Sequence, residues 1–272
     1  MGLIEIDLTR MTEQDLDALR GAVQALEHPG LVARLTNIVG RPLEMLQRAL
    51  PESASKAISV GTTKALDAAL TVALRTIEHG PQAGSPVFHR ALAATSGAMG
   101  GGFGFAALPI ELPISTIIML RSIADIARSE GEDLSNPETA LACMQVFALS
   151  AREGEVDASE SSYFAVRAML AKSISEAARY IAERGAAAEG APLLLRLLQM
   201  IAARFGLVVS QKFAAQAVPI IGAVGGAAVN YAFIDHFQEI ARAHFTVRRL
   251  ERSYGRELIR AEYEKLRARR MG

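Results

Sequence analysis

The chain predicts an all-α fold, a multi-helix bundle around two glycine-rich apolar helical cores. Three observations carry that reading. Apolar residues return at helical spacing in segment after segment, as Leu16, Leu19, Val23 and Leu26 do near the start. No segment alternates β-branched and polar residues with the period of two that a half-buried strand requires. Residues 91–120 contain one charged side chain, Glu111, and residues 213–234 contain none, while glycine and proline interrupt both stretches. Glycine costs a solvated helix about 1 kcal/mol against alanine, so Gly97, Gly100, Gly101, Gly102 and Gly104 in the first stretch predict backbones in close contact. Gly222, Gly225 and Gly226 predict the same for the second.

Thr12 caps a first helix, with Asp15 closing a capping box, and His28-Pro29-Gly30 ends it. Residues 31–50, broken at Arg41-Pro42, read as two short helices, and residues 53–78 as a longer, alanine-rich one. Residues 1–52 are thus a scaffold layer on the remainder, 53–272, with which they form one compact unit. The first apolar core is long enough to cross a bilayer, since about 20 residues suffice, but its glycines and the prolines Pro109 and Pro113 interrupt it. A buried or re-entrant helical hairpin fits better. After it, Arg121, Asp125 and Arg128 share a helix face as an ionic ladder, and that helix stops near Gly131. Asn136-Pro137-Glu138 starts a helix that contains Cys143 and runs to residue 151. Asp157 and Glu160 make a capping box before a helix over 163–184, and residues 185–190 are a small-residue linker. Residues 193–209 lead into the second core, and Gly255 divides the long helix after it from a charged terminal one over 256–270.

Composition narrows the function classes. Across 272 residues, 29 basic side chains balance 29 acidic ones, so no global field draws the protein to nucleic acid. Half of the residues are hydrophobic and the mean hydropathy is +0.21, high for a soluble protein and low for a polytopic membrane protein. The single cysteine, Cys143, stands in the apolar run LACMQVFAL, which marks it as core filler in a reducing cytoplasm. The N-terminal MGLIEIDLTR carries acids where a signal peptide needs basic residues, and Ile6 stands where myristoylation wants serine or threonine.

Chemistry-bearing motifs are few. HExxH is absent, no Gly-x-Ser-x-Gly elbow occurs, and the GGGFG run lacks the strand and the GK[ST] of a phosphate loop, so no cofactor is expected. His236, Glu239 and His244 are weak metal candidates on the helix after the second core. At 100° per residue His244 falls among Phe233, Phe237, Ile240 and Val247, whereas Asp235 and Glu239 face the other way, and a partly buried structural histidine is the favoured reading. Glu111 either faces solvent at a helix start after Pro109 or is buried and needs a partner, for which Arg121 or another arginine is the candidate. Arg242, Arg248, Arg249, Arg252 and Arg256 make the C-terminal fifth basic, diluted by Glu251, Glu257, Glu262 and Glu264. A solvated helix is the first reading there and an anionic lipid surface the second.

The segment LRSIADIARSEG after the first core echoes DHFQEIARAHF after the second, with Ile126-Ala127-Arg128 matching Ile240-Ala241-Arg242. If the echo marks a duplication, the two cores pack as a pseudo-symmetric pair, and Arg121 and Asp235 hold equivalent positions. Glu111, Arg121, Asn230, Asp235 and His236 are then the polar candidates for one central site.

The stretches RSIADIARSEGEDLSNPE, YFAVRAML and above all RFGLVVSQKFAAQAVPIIGAVGGAAVNYAFIDHFQEIARAHFTVRRLERSYG resemble the EcsC protein family of bacteria, over residues 54–263. The resemblance implies a mainly helical bacterial protein linked to membrane or transport processes, with an ABC transporter as a partner, and it brings no catalytic motif. The expected function is therefore non-enzymatic. It is that of a cytoplasmic protein, peripherally associated with the inner membrane, whose apolar cores contact lipid or membrane proteins. The alternative is an enzyme or carrier with an internal apolar pocket lined by the five polar candidates.

Overall fold

The computed structural model describes residues 11–27, 30–48, 50–79, 108–151, 162–185, 190–217 and 222–271. Among these residues the protein is all-α, with no strand and ten helices. They are α1 (Glu13–Glu27), α2 (Leu31–Val39), α3 (Leu43–Arg48), α4 (Glu52–His79), α5 (Leu108–Ser129), α6 (Pro137–Leu149), α7 (Ser162–Arg184), α8 (Pro192–Gln216), α9 (Gly222–Tyr254) and α10 (Arg256–Met271). The glycine run Gly97 to Gly104, the proposed Asp157 and Glu160 cap and residues 186–189 of the linker lie outside the described residues.

Local chemistry sets the ends that the sequence predicts. The Asp15 amide donates to Thr12 Oγ1 at 3.1 Å, and that hydroxyl donates to the Asp15 carboxylate at 3.0 Å. The Glu138 amide donates to Asn136 Oδ1 at 2.9 Å, with Pro137 at the first helical position. Gly255 has φ 90°, a left-handed backbone that a side chain would strain, and there α9 breaks from α10.

Two expected boundaries move. Pro113 does not interrupt its stretch but lies inside α5, because proline forfeits only the bond to the carbonyl four residues earlier and the rest of the helix is held by packing. The second apolar stretch is not one element either. Its first residues, from Phe213, finish α8, and α9 starts at Gly222.

The centre is α6. Every residue from Thr139 to Leu149 is buried, as a helix that is apolar all round must be. It packs against α4, α5, α7, α8 and α9. Phe147 of α6 meets Phe205 of α8 at 4.9 Å and Phe237 of α9 at 5.4 Å between ring centroids. Arg204 of α8 reaches the end of α6, its Nε donating to the Ala148 carbonyl at 2.9 Å and its Nη2 to that of Ala151, so a cation meets the negative end of the helix. Around this axis α4 packs on α5 and α8, and α5 packs on α9, which brings the two echoed segments side by side. Ile126, Ala127, Ile240 and Ala241 are all buried. In the N-terminal layer α1 packs on α9 and α10, α2 on α8 and α9, and α3 on α8.

The basic stretch of α9 is less solvated than expected, because acids from distant segments meet it. Arg248 forks onto Glu132 at 2.8 and 3.0 Å, and Arg252 also reaches Glu132. Arg249 bridges Glu130 and Asp15, each at 2.9 Å. These contacts tie the α5–α6 turn and α1 to α9. Burial raises the Glu132 carboxyl, but the Arg248 hydrogen bond and the charges of Arg248 and Arg252 outweigh it and hold the group below its ordinary value.

Candidate functional site

Glu111 is buried, and its partner is Lys212. Glu111 lies in the first turn of α5 and Lys212 near the end of α8, so each stands where the helix dipole favours its charge. Lys212 Nζ donates to Glu111 Oε1 at 2.7 Å, and the two side chains are 0% and 4% exposed. The Phe213 and Phe233 rings lie 5.5 and 5.0 Å from the ammonium and present further negative potential to it. Burial draws the Lys212 pKa down, while the Glu111 charge and hydrogen bond oppose the fall. The pair closes the place where α5 begins and α8 ends. Residues 80–107 lead into α5 at this end, and residues 218–221 join α8 to α9.

Deeper in the bundle, Gln238 Nε2 of α9 donates to Ser122 Oγ of α5 at 2.6 Å, both side chains being buried. Asn230 is fully buried on α9. His236 is buried beside the Ser150 backbone, and neither ring nitrogen reaches hydrogen-bonding geometry. Burial lowers its pKa to about 4 despite support for the charged form from that backbone, so the ring is neutral at pH 7. His244 is buried among the residues that its helical angle indicates, with Nδ1 3.0 Å from the Tyr163 hydroxyl. Arg167 donates to the same hydroxyl at 3.2 Å and forks onto Glu251 at 2.8 and 2.9 Å. Burial holds the His244 pKa well below its usual value and pushes the Tyr163 hydroxyl up to about 12.

The five predicted residues do not gather at one point. Arg121 is exposed rather than paired with Glu111, because α5 runs unbroken through Pro113 and carries Arg121 nearly three turns further on, rotated away. Asp125 pairs with Arg128 at 3.6 Å, a rung of the expected ladder. Asp235 and Glu239 point toward α2, where Arg34 donates to them at 2.9 and 2.5 Å. Glu239 is therefore engaged away from His236 and His244. Among the described residues no group of three or more His, Cys, Asp or Glu side chains converges as a metal centre would require. Sequence reasoning missed Lys212, Arg34 and the acids at 130 and 132. A helix with three cations and no acid, set against a lone acid in the apolar stretch 91–120, was the available signal for Lys212.

These features define a class: an all-α bundle wound about a short helix buried from Thr139 to Leu149, with a buried ion pair at one end and neutral histidines inside. The EcsC protein family model matches residues 72–250, well over half of the 272, and the chain belongs to that family. No curated protein and no solved structure shows a significant match to the chain.

Proposed function

We propose that the protein acts by contact rather than catalysis, as a membrane-associated helical protein, cytoplasmic and peripheral on the inner membrane, that meets lipid or a membrane protein. One observation supports this reading. Glu52–Arg75 of α4 and Pro192–Gln216 of α8 are long and apolar enough to cross a bilayer, yet their most apolar windows are only 50% and 39% buried in the fold. On α8 the part left uncovered includes Leu195 and Leu207, apolar surface that is free to meet another apolar phase. The ABC transporter implied by the family is a candidate membrane-protein partner. Cell fractionation tests the reading: the protein is expected in the membrane pellet and released at least in part by high salt or alkaline carbonate. Recovery in the soluble fraction alone overturns membrane association, and resistance to everything but detergent replaces peripheral attachment with integral insertion.

An internal ligand site is the second reading, favoured by the buried His236 with neither ring nitrogen bonded. Native mass spectrometry of the purified protein decides it, since a co-purifying small molecule supports a carrier and the bare chain mass counts against one.

A further inference from the structure

We propose that the outward face of α8 is the surface that meets the bilayer, an inference that rests on the membrane-associated reading above. Most of the charge on this helix turns inward, within a buried face otherwise made of Leu194, Leu197, Leu198, Ile201 and Phe205. It contains no acidic residue, and its charged side chains are Arg196, Arg204 and Lys212. Two of them turn inward, Arg204 onto the carbonyls of Ala148 and Ala151 and Lys212 onto Glu111. Leu195 and Leu207 turn outward, 44% and 41% exposed, and Ala203 is exposed with them. A helix that faces water arranges these residues the other way round, with cations outward and leucines against the core. Charges that point into a bundle and bond one another or backbone carbonyls are characteristic of helices facing hydrocarbon, where an outward cation has no water to solvate it.

The same molecule supplies a comparison. α4 is also long and apolar enough to cross a bilayer, yet its exposed residues include Lys56, Lys64, Asp67 and Arg75, the pattern of a solvated helix. On α8 the only outward charge is Arg196, close to the N-terminal end, and no acid on the helix opposes an anionic surface. The outward face also carries the polar, uncharged Gln199, and the occupant that matches uncharged, mainly apolar residues plus one cation is an anionic bilayer, with α8 lying in the plane of its headgroup boundary.

The chain has no tryptophan, so a single introduced one reports from a known place. Full-length Leu195→Trp and Leu207→Trp carry the reporter on the proposed face, and Gln14→Trp on exposed α1 is the control, each first checked for an unchanged thermal melt. Vesicles of phosphatidylglycerol with phosphatidylethanolamine are compared with vesicles of phosphatidylcholine. On the anionic vesicles the two α8 reporters are expected to shift to the blue and to be quenched by brominated acyl chains, while Gln14→Trp stays unchanged. Leu207→Glu is expected to weaken vesicle binding about tenfold, and Arg196→Glu to weaken it on the anionic vesicles alone. If the parent protein binds vesicles while the α8 reporters stay in water, or if Gln14→Trp shifts equally, the α8 assignment falls and membrane association stands. If the parent binds neither vesicle the assignment also falls, and cell fractionation still decides the broader reading. A blue shift that grows with protein concentration in the absence of lipid overturns it as well, and marks the face as a contact between copies.

Discussion

Removing one member of a buried ion pair strands the other charge in an apolar medium. Glu111→Ala is therefore expected to cost about 3–5 kcal/mol in urea unfolding, because Lys212 would remain buried without its carboxylate. Adding Lys212→Met to that variant should recover part of the loss, and strict additivity of the two single changes would remove the pair as a clasp. Arg121→Ala, by contrast, should stay within about 0.5 kcal/mol, since its side chain is exposed. This site was half legible in the sequence. A lone carboxylate in an apolar stretch demands a partner, and that demand is local. The partner lies 101 positions away on another helix, where a single lysine looks like the polar edge of an amphipathic segment. The split between His244 and the Asp235–Glu239 side was fully legible, because helical angles alone separate them. Arg34, which receives the two acids, was not.

Helix ends were easier to read than helix neighbours. The caps at Thr12 and Asn136 and the break at Gly255 each depend on a few consecutive residues, whereas the burial of α6 depends on five other helices that close around it. LACMQVFAL advertises a buried helix, but nothing in it ranks that helix above the longer apolar stretches. Two glycines separate propensity from conformation. Gly206 lies within α8, nothing stands within 4 Å of the Cβ it lacks, and Gly206→Ala should raise stability by about 0.5–1 kcal/mol. Gly131, with φ 78° in the turn after α5, is held left-handed, so Gly131→Ala should lower stability by about 1 kcal/mol. Thermal melts of the two variants should move in opposite directions, and a shared direction would contradict the backbone assignment.

Across the whole molecule, the pH dependence of stability gathers groups from several helices. In the fold His236 stays neutral down to a pKa of about 4, while in the unfolded chain it titrates near 6.5. Above pH 6.5 its contribution is fully present. As the pH falls through the interval to 4 the unfolded chain takes up a proton that the folded one refuses, which removes about 3 kcal/mol. His244, also held below its usual value, acts in the same direction. Glu132 has a lowered pKa, so its stabilisation is complete above the ordinary value of 4.5 and is lost only in stronger acid. Urea midpoints measured against pH should therefore begin to fall near 6.5, well before the carboxylates titrate, and His236→Leu should flatten that first limb. A wild-type profile that is level between pH 6.5 and 5 would contradict a buried neutral ring. None of this long-range electrostatics was visible in the sequence, where the basic residues of α9 stand beside their own glutamates and far from the acids that hold them.

The middle of α6 carries the chain's one thiol, Cys143, 1% exposed and pushed up to about 12 by burial. Labelling needs the thiolate to attack the reagent, so this sulfur reacts only in the moments when the bundle parts. The rate at which the native protein is labelled thus works as a built-in clock for opening of its centre. Run with and without vesicles, the same clock distinguishes a bundle that docks closed, and labels no faster, from one that unwraps as it binds.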